Sequence, residues 1–168
     1  MEKIIIIFKL HFIAIMVSVI ISSLSYTALF LLKDKIYEVY RQKGIHFAFI
    51  AIAPLYVGSG LLIELLYKTI LPKVLLVEIN LDTSDTIFIY LSSLIIVIGT
   101  LMYAFFGRAS DILSKEKLIL YLLASILLTS ILAYNQSFST LKITYVLEIT
   151  AFSLMSSFII KELHQNKR

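Results

Sequence analysis

The chain contains no cysteine and no tryptophan, and only two of its 168 residues are proline. The absence of cysteine excludes a disulfide framework, thiolate metal sites, CxxC redox chemistry and thioether attachment of haem. Charge is also scarce, since 15% of the residues are charged against about 25% in ordinary soluble domains. Hydrophobic residues make up 60% of the chain. This composition suits a protein whose solvent is lipid, because acyl chains need no polar covering.

Several classes of function find no support in the sequence. Lys and Arg exceed Asp and Glu only by 15 to 11, and no basic stripe with interleaved aromatic residues occurs, so we expect no nucleic-acid partner. Metalloprotease, EF-hand, Walker and hydrolase motifs are also missing from the sequence. We therefore predict no catalytic residues and no metal site, and the sequence does not indicate an enzyme.

Five apolar segments approach the roughly 20 residues that a membrane-spanning helix needs. They cover residues 10–32, 45–67, 86–106, 118–134 and 143–160. We predict an all-α bundle of about five transmembrane helices, forming a single transmembrane domain over residues 1–168. The expected localisation is the cell membrane, with the lipid bilayer and other membrane protein subunits as partners.

The distribution of Lys and Arg predicts the orientation of the bundle. Segments 33–44, 107–117 and 161–168 alternate along the chain, so they share one side of the membrane, and together they contain ten basic residues. The opposite side has five. Because cytoplasmic loops are enriched in Lys and Arg, this bias places the first group in the cytoplasm. With five spans, the N-terminus is then outside and the C-terminus is cytoplasmic.

Two alternatives to this topology stay open. The last two segments are short, so they could form a helical hairpin that enters the membrane and returns on the same side. At the N-terminus, Ser23-Leu24-Ser25 resembles a signal-peptide cleavage site, although the apolar run continues to Leu32 and is too long for the core of a signal peptide.

Pairs of small polar residues spaced four apart indicate where helices pack closely. These pairs are Ser18 and Ser22, Ser125 and Thr129, and Ser153 and Ser157. The outer connection, residues 68–85, is rich in apolar residues, and we expect it to lie on the membrane surface.

Ionisable residues inside a span are costly and are candidates for function. His11 and Glu64 lie near the outer ends of the first and second segments, and Glu148 lies about two turns into the fifth. The functional interpretation is an outward-facing polar site in which His11 binds a ligand or carries a proton and the carboxylates assist it. The structural alternative is that Glu64 extends to the interface and that His11 only marks the boundary.

The segment Leu10–Leu32 resembles a helix of a known family. It has His11 at its outer end, a run of small residues with Tyr26, and a Leu-rich end that leads into a basic loop. That family is the haem-handling cytochrome c assembly proteins of the CcmC and CcsA type. In the outer connection, Asp82 and Thr86 match the spacing with which the family's haem-binding segment ends and its next helix begins. The resemblance covers roughly residues 10–140. It implies an outward-facing haem site with His11 as a candidate axial ligand, and a role in cytochrome c biogenesis.

The sequence departs from this family at two important places. The family's haem platform is built from tryptophan, which this chain lacks. The family's second outer histidine belongs between the fourth and fifth helices, where residues 135–142 contain none. A degenerate member, or a structural partner of a haem-handling complex, fits these departures better than an active haem ligase does.

Two further functions compete with haem handling. A small transporter component would use Glu148, and Gly107–Asp111 faintly resembles a loop signature of major facilitator transporters. However, the chain is too short for that twelve-helix fold, and five spans do not divide into two repeats. A non-catalytic membrane subunit that packs against larger partners would account for the small-residue faces and the sparse polar chemistry.

Overall fold

The computed structural model describes residues 1–102 and 114–165, and every regular element within these ranges is helical. The elements are α1 (Glu2–Lys43), α2 (Ile45–Leu65), a π-helix (Leu66–Ile70), α3 (Leu71–Leu75), α4 (Thr83–Leu101), α5 (Lys115–Tyr134) and α6 (Phe138–Gln165). The third predicted segment ends at Phe106, which is outside the described residues, as are Gly107–Asp111 and the last three residues of the tail.

Five helices are long and apolar enough to cross a membrane, which confirms the all-α, multi-pass architecture expected from the sequence. They are α1, the continuous helical stretch Ile45–Leu75, α4, α5 and α6. The two segments that appeared short are longer than predicted, with 20 residues in α5 and 28 residues in α6. Helices of this length cover about 30 Å and about 42 Å, so each reaches across a hydrocarbon core of about 30 Å.

The prediction of a loop at residues 33–44 is wrong, because α1 continues without interruption to Lys43. No glycine or proline occurs between Leu32 and Gly44, and the charged residues of this segment are good helix formers. Glu38 also accepts a hydrogen bond from Gln42 one turn later, at 2.9 Å. The helix ends at Gly44, whose φ of 85° suits a residue without a Cβ.

The predicted outer connection, residues 68–85, is also shorter than expected. The helix that starts at Ile45 passes through the π-helix and α3 and ends only at Leu76, which adopts a left-handed conformation with φ of 56°. Residues 76–82 form the true connection. Asp82 then starts α4 through a capping box, in which Asp82 and Asp85 each accept a hydrogen bond from the other's backbone N–H.

Helices α1, α4 and α6 run parallel to one another, with α6 at the centre of the bundle. Ser18 donates to the carbonyl of Ile149, and Ser22 donates to the carbonyl of Ser153, so both contacts join residues 131 apart. The constant offset shows that the two helices advance in the same direction. This end, where α1, α4 and α6 begin, is called the N-terminal end of the bundle below.

Small residues allow the close approach of these helices, as the serine spacing predicts. Ser18, Ser22 and Ser153 are completely buried, and Ser157 shares a 2.8 Å hydrogen bond with Thr100 of α4. At Gly99, an added Cβ would overlap the side chain of Leu154. The centre of the bundle is therefore held by interhelical hydrogen bonds and close backbone packing rather than by large apolar side chains alone.

Candidate functional site

A histidine and a glutamate from opposite ends of the chain meet inside the bundle. His11 of α1 and Glu148 of α6 are joined by a contact of 2.7 Å between Nδ1 and Oε1. On the other side of the ring, Nε2 lies 2.8 Å from the hydroxyl of Ser130 on α5. Three helices thus contribute one side chain each, and these three residues are called the His11–Glu148 site below.

The hydrogen bonds of Ser130 define where one proton lies. A serine hydroxyl carries a single proton, and Ser130 donates it to the carbonyl of Ile126 at 2.8 Å. While Ser130 donates to Ile126, it can only accept from His11. In this hydrogen-bond pattern Nε2 carries a proton and donates.

A second proton must lie between Nδ1 and Oε1 of the pair, because the 2.7 Å contact needs a donor. On Nδ1, this proton produces an imidazolium beside a carboxylate. On Oε1, it produces a neutral imidazole beside a carboxylic acid. With Nε2 protonated, both arrangements leave the His11–Glu148 pair without net charge, which is the state that a low-dielectric environment favours.

The glutamate is the more deeply enclosed member of the pair. Its side chain is 0% exposed, whereas that of His11 is 19% exposed. The second carboxylate oxygen of Glu148, Oε2, is buried and has no hydrogen-bond partner among the described residues. A buried polar atom without a partner is costly and calls for a physical explanation, and a carboxylate oxygen inside a span is the most costly case.

Two tyrosines lie next to the pair toward the N-terminal end of the bundle. Tyr145 precedes Glu148 by one turn of α6 and donates to the carbonyl of Leu10 at 2.8 Å. Tyr67, in the π-helix, donates to the carbonyl of Lys142 at 2.5 Å. Their rings meet edge to face with centroids 6.1 Å apart. The two rings are buried and line a cavity at the N-terminal end, whose lining does not include His11 or Glu148.

That cavity has a volume of about 220 Å³ and is lined by the two tyrosines, by leucines of α1 and α3, and by the start of α6. Lys142 lies in its wall and forms an ion pair with Asp85 of α4. The Lys142 ammonium group also donates to the carbonyl of Asn80 at 3.1 Å. This ion pair ties α4, α6 and the 76–82 connection together at the rim.

The structure brings together two of the three ionisable candidates. His11 and Glu148 form the site, but Glu64 makes its contacts with the π-helix and α4 instead. Its carboxylate lies 2.5 Å from the ammonium of Lys68, one turn away, and accepts a hydrogen bond from Tyr90 at 3.2 Å. The structure therefore does not bring Glu64 into the His11–Glu148 site.

Asp82 is also explained by local structure. It caps α4, and the hydroxyl of Thr86 donates to the Asp82 carbonyl at 3.0 Å. The spacing of Asp82 and Thr86 that resembles the cytochrome c assembly proteins is therefore a helix N-terminus signature in this chain. Nothing in this arrangement directs Asp82 toward the His11–Glu148 site.

Sequence reasoning missed Ser130 and the partnership of Tyr145 with Leu10. A hydroxyl residue inside an apolar helix is a weak signal for Ser130, because serine is common at helix interfaces in membranes. Within the described ranges, no group of three or more His, Cys, Asp or Glu side chains could hold a metal ion.

The chain was also compared with known proteins. No family model, no curated protein and no solved structure matches it.

Proposed function

We propose that this protein is a small component of a proton-coupled membrane transporter, in which the His11–Glu148 pair takes up and releases one proton. The observation that carries the proposal is the unpartnered Oε2 of a completely buried carboxylate beside a histidine. Ionisable residues at such depth mark proton relays and substrate pathways in membrane proteins. Histidine adds a group that exchanges protons near neutral pH.

The geometry supplies a physical basis for coupling. In the hydrogen-bonded state in which Nε2 carries a proton, the pair is neutral. Loss of one proton would leave a net negative charge in a site where Oε2 has no partner among the described residues. A buried unpaired charge costs several kcal/mol, so proton release would favour a conformation in which Glu148 reaches water or a cation. A protein that couples transport to protons requires this link between charge and conformation.

The proposal keeps the topology predicted from the sequence, with the N-terminal end of the bundle outside and the C-terminus in the cytoplasm of a cell. The chain has no cysteine, so single cysteines can be introduced without background. Gln136→Cys in the α5–α6 turn should react with a membrane-impermeant maleimide on intact cells. Gln42→Cys near the end of α1 should react only after permeabilisation. The reverse pattern would contradict the orientation.

Proton counting tests the function itself. The double variant His11→Leu/Glu148→Met removes both ionisable groups and keeps side chains of comparable size. Over the pH range in which both proteins stay folded, the wild type in liposomes should release about one more proton per chain than the variant. Equal release would mean that the pair does not titrate. The chain would then be better described as a non-catalytic membrane subunit that packs against other subunits.

Haem handling is the second candidate, and one observation favours it. Histidines that ligate metals generally donate their other ring nitrogen to a carboxylate or carbonyl, and Nδ1 of His11 contacts Glu148 in this way. The described residues do not, however, fit a resident haem. Nε2 is already bonded to Ser130, and His11 does not line the cavity of about 220 Å³ or a second one of about 550 Å³ formed by described residues of α1, α2 and α4.

An absorption spectrum tests the haem hypothesis directly. If His11 binds haem as an axial ligand, added haem should give a saturable Soret shift that His11→Ala abolishes. Ser130→Ala, which frees Nε2 without removing the His11 ligand, should increase the affinity for haem. A spectrum that is the same in all three proteins would contradict a role of His11 in haem binding and, with it, the resemblance to the cytochrome c assembly proteins.

A further inference from the structure

The cavity at the N-terminal end of the bundle has the form of a site for a very small molecule. Its volume of about 220 Å³ equals roughly seven water molecules at about 30 Å³ each. The walls are mainly apolar, from Leu10, Leu71, Leu75, Phe138 and Leu141. A concave, largely apolar cavity with a few polar groups is the usual form of a ligand site. Its volume is sufficient for one aromatic ring with a short chain.

Several polar groups in the lining offer hydrogen-bond acceptors. Tyr67 and Tyr145 each donate their only hydroxyl proton to a backbone carbonyl, so their oxygens can still accept but not donate. Lys142 directs its ammonium group to the Asn80 carbonyl and to Asp85. A ligand that brings hydrogen-bond donors could therefore be bound by the tyrosine oxygens.

The charges of the lining point to the same conclusion. Lys142 and Glu78 are the charged side chains that line the cavity. The charge of Lys142 is balanced by Asp85, with which it forms an ion pair. Among the described residues, no hydrogen bond or ion pair engages the exposed carboxylate of Glu78. The unbalanced charge of the cavity is thus negative.

We propose that this cavity binds a small amphiphilic organic cation, a protonated amine with an apolar body. The apolar walls would hold the body, while Glu78 and the tyrosine oxygens would receive the ammonium group. The proposal deepens the proposed function by naming a substrate class, and it rests on that function for its coupling to protons. The cavity and the His11–Glu148 site are close together, since Tyr145 lines the cavity and lies one turn before Glu148. Tyr145 also donates to the carbonyl of Leu10, the neighbour of His11.

Calorimetric titration of the protein in lipid nanodiscs tests the site, with 2-phenylethylammonium as the probe. The matched neutral compound is 2-phenylethanol, and the matched anion is 3-phenylpropionate. We expect the cation to bind about fivefold more tightly than the alcohol, as one partly exposed charge pair allows, and the anion to bind most weakly. Glu78→Gln should remove the preference for the cation, whereas Asp34→Asn, at an exposed acidic residue far along α1, should retain it.

Leu71→Trp, which fills the cavity, should abolish binding of all three probes. Several outcomes would overturn the proposal: no saturable binding of the cation, equal affinity for cation and alcohol in the wild type, or unchanged binding in both Glu78→Gln and Leu71→Trp. Proton counting keeps this test separate from the proposed function. Cation binding to a chain whose His11–Glu148 pair does not titrate would support the cation site and refute the coupling to protons. Release of one proton without cation binding would support the proton pair and refute the cation site.

Discussion

Removal of the His11 side chain is the most direct perturbation of the site. In His11→Ala, the carboxylate of Glu148 loses its partner while remaining in a position where its side chain is 0% exposed. Oε2 has no partner to replace the lost contact within the described part of the chain. The hydroxyl of Ser130 also loses a donor, although it keeps its bond to the carbonyl of Ile126.

Breaking a buried pair by removing one partner typically costs 3–5 kcal/mol. His11 is itself 19% exposed, so the expected loss lies near the lower limit, about 3 kcal/mol. That value corresponds to roughly a hundredfold decrease in the folding equilibrium constant. Replacing both partners with apolar side chains removes the uncompensated charge, so His11→Leu/Glu148→Met should cost less than about 1 kcal/mol or stabilise the bundle.

Equilibrium unfolding in mixed micelles of dodecyl maltoside and sodium dodecyl sulfate, followed by circular dichroism, measures these differences. His46→Ala serves as the matched control, since this histidine is exposed at the start of α2 and should change stability by less than about 0.5 kcal/mol. The reasoning fails if His11→Ala costs no more than His46→Ala, or if the double variant is less stable than His11→Ala. Either result would mean that Glu148 is not buried against His11.

The remaining predictions concern the packing around the site. Gly99→Ala should destabilise the bundle by about 1–3 kcal/mol, because its Cβ overlaps Leu154. Gly58→Ala, where nothing lies within 4 Å of the added Cβ, should be neutral or slightly stabilising. The same unfolding measurement compares the two variants, and equal effects would contradict the close approach of Gly99 to Leu154. Ser22→Ala removes the 2.6 Å hydrogen bond to Ser153 and should cost about 0.6 kcal/mol. Ser23→Ala, on the exposed face of the same helix, should cost nothing measurable, and a larger loss at Ser23 would refute the assigned face of α1.

The number of spans could be predicted because it depends on local composition. A run of about 20 apolar residues must cross or leave the membrane, whatever the rest of the chain does. The ends of the helices were predicted less well, since hydropathy marks where lipid contact stops and not where backbone hydrogen bonding stops. Residues 33–43 illustrate the difference, because they are charged and yet belong to α1.

The candidate site also has a part that local sequence predicts and a part that only helix packing decides. The sequence by itself identified His11 and Glu148 as costly residues within apolar segments, since that judgement needs only their neighbours in the chain. It could not show that they meet, because they are 137 residues apart and because helices that are apolar on every side carry little information about their rotation. Glu64 had a similar local signal, but Lys68 lies one turn away on the same helical stretch, and the packing of α2 against α4 adds Tyr90 as a second partner.

The sequence alone thus determined that the chain is a helical, multi-pass membrane protein, because that property is the sum of local transfer free energies. Only the tertiary structure decided which polar groups face one another. The small residues of α1 and α6 set a parallel packing with a fixed offset, and that packing places the histidine, the glutamate and a serine from a third helix within hydrogen-bonding distance. Such contacts depend on the rotation and register of whole helices, which no single segment of the sequence encodes.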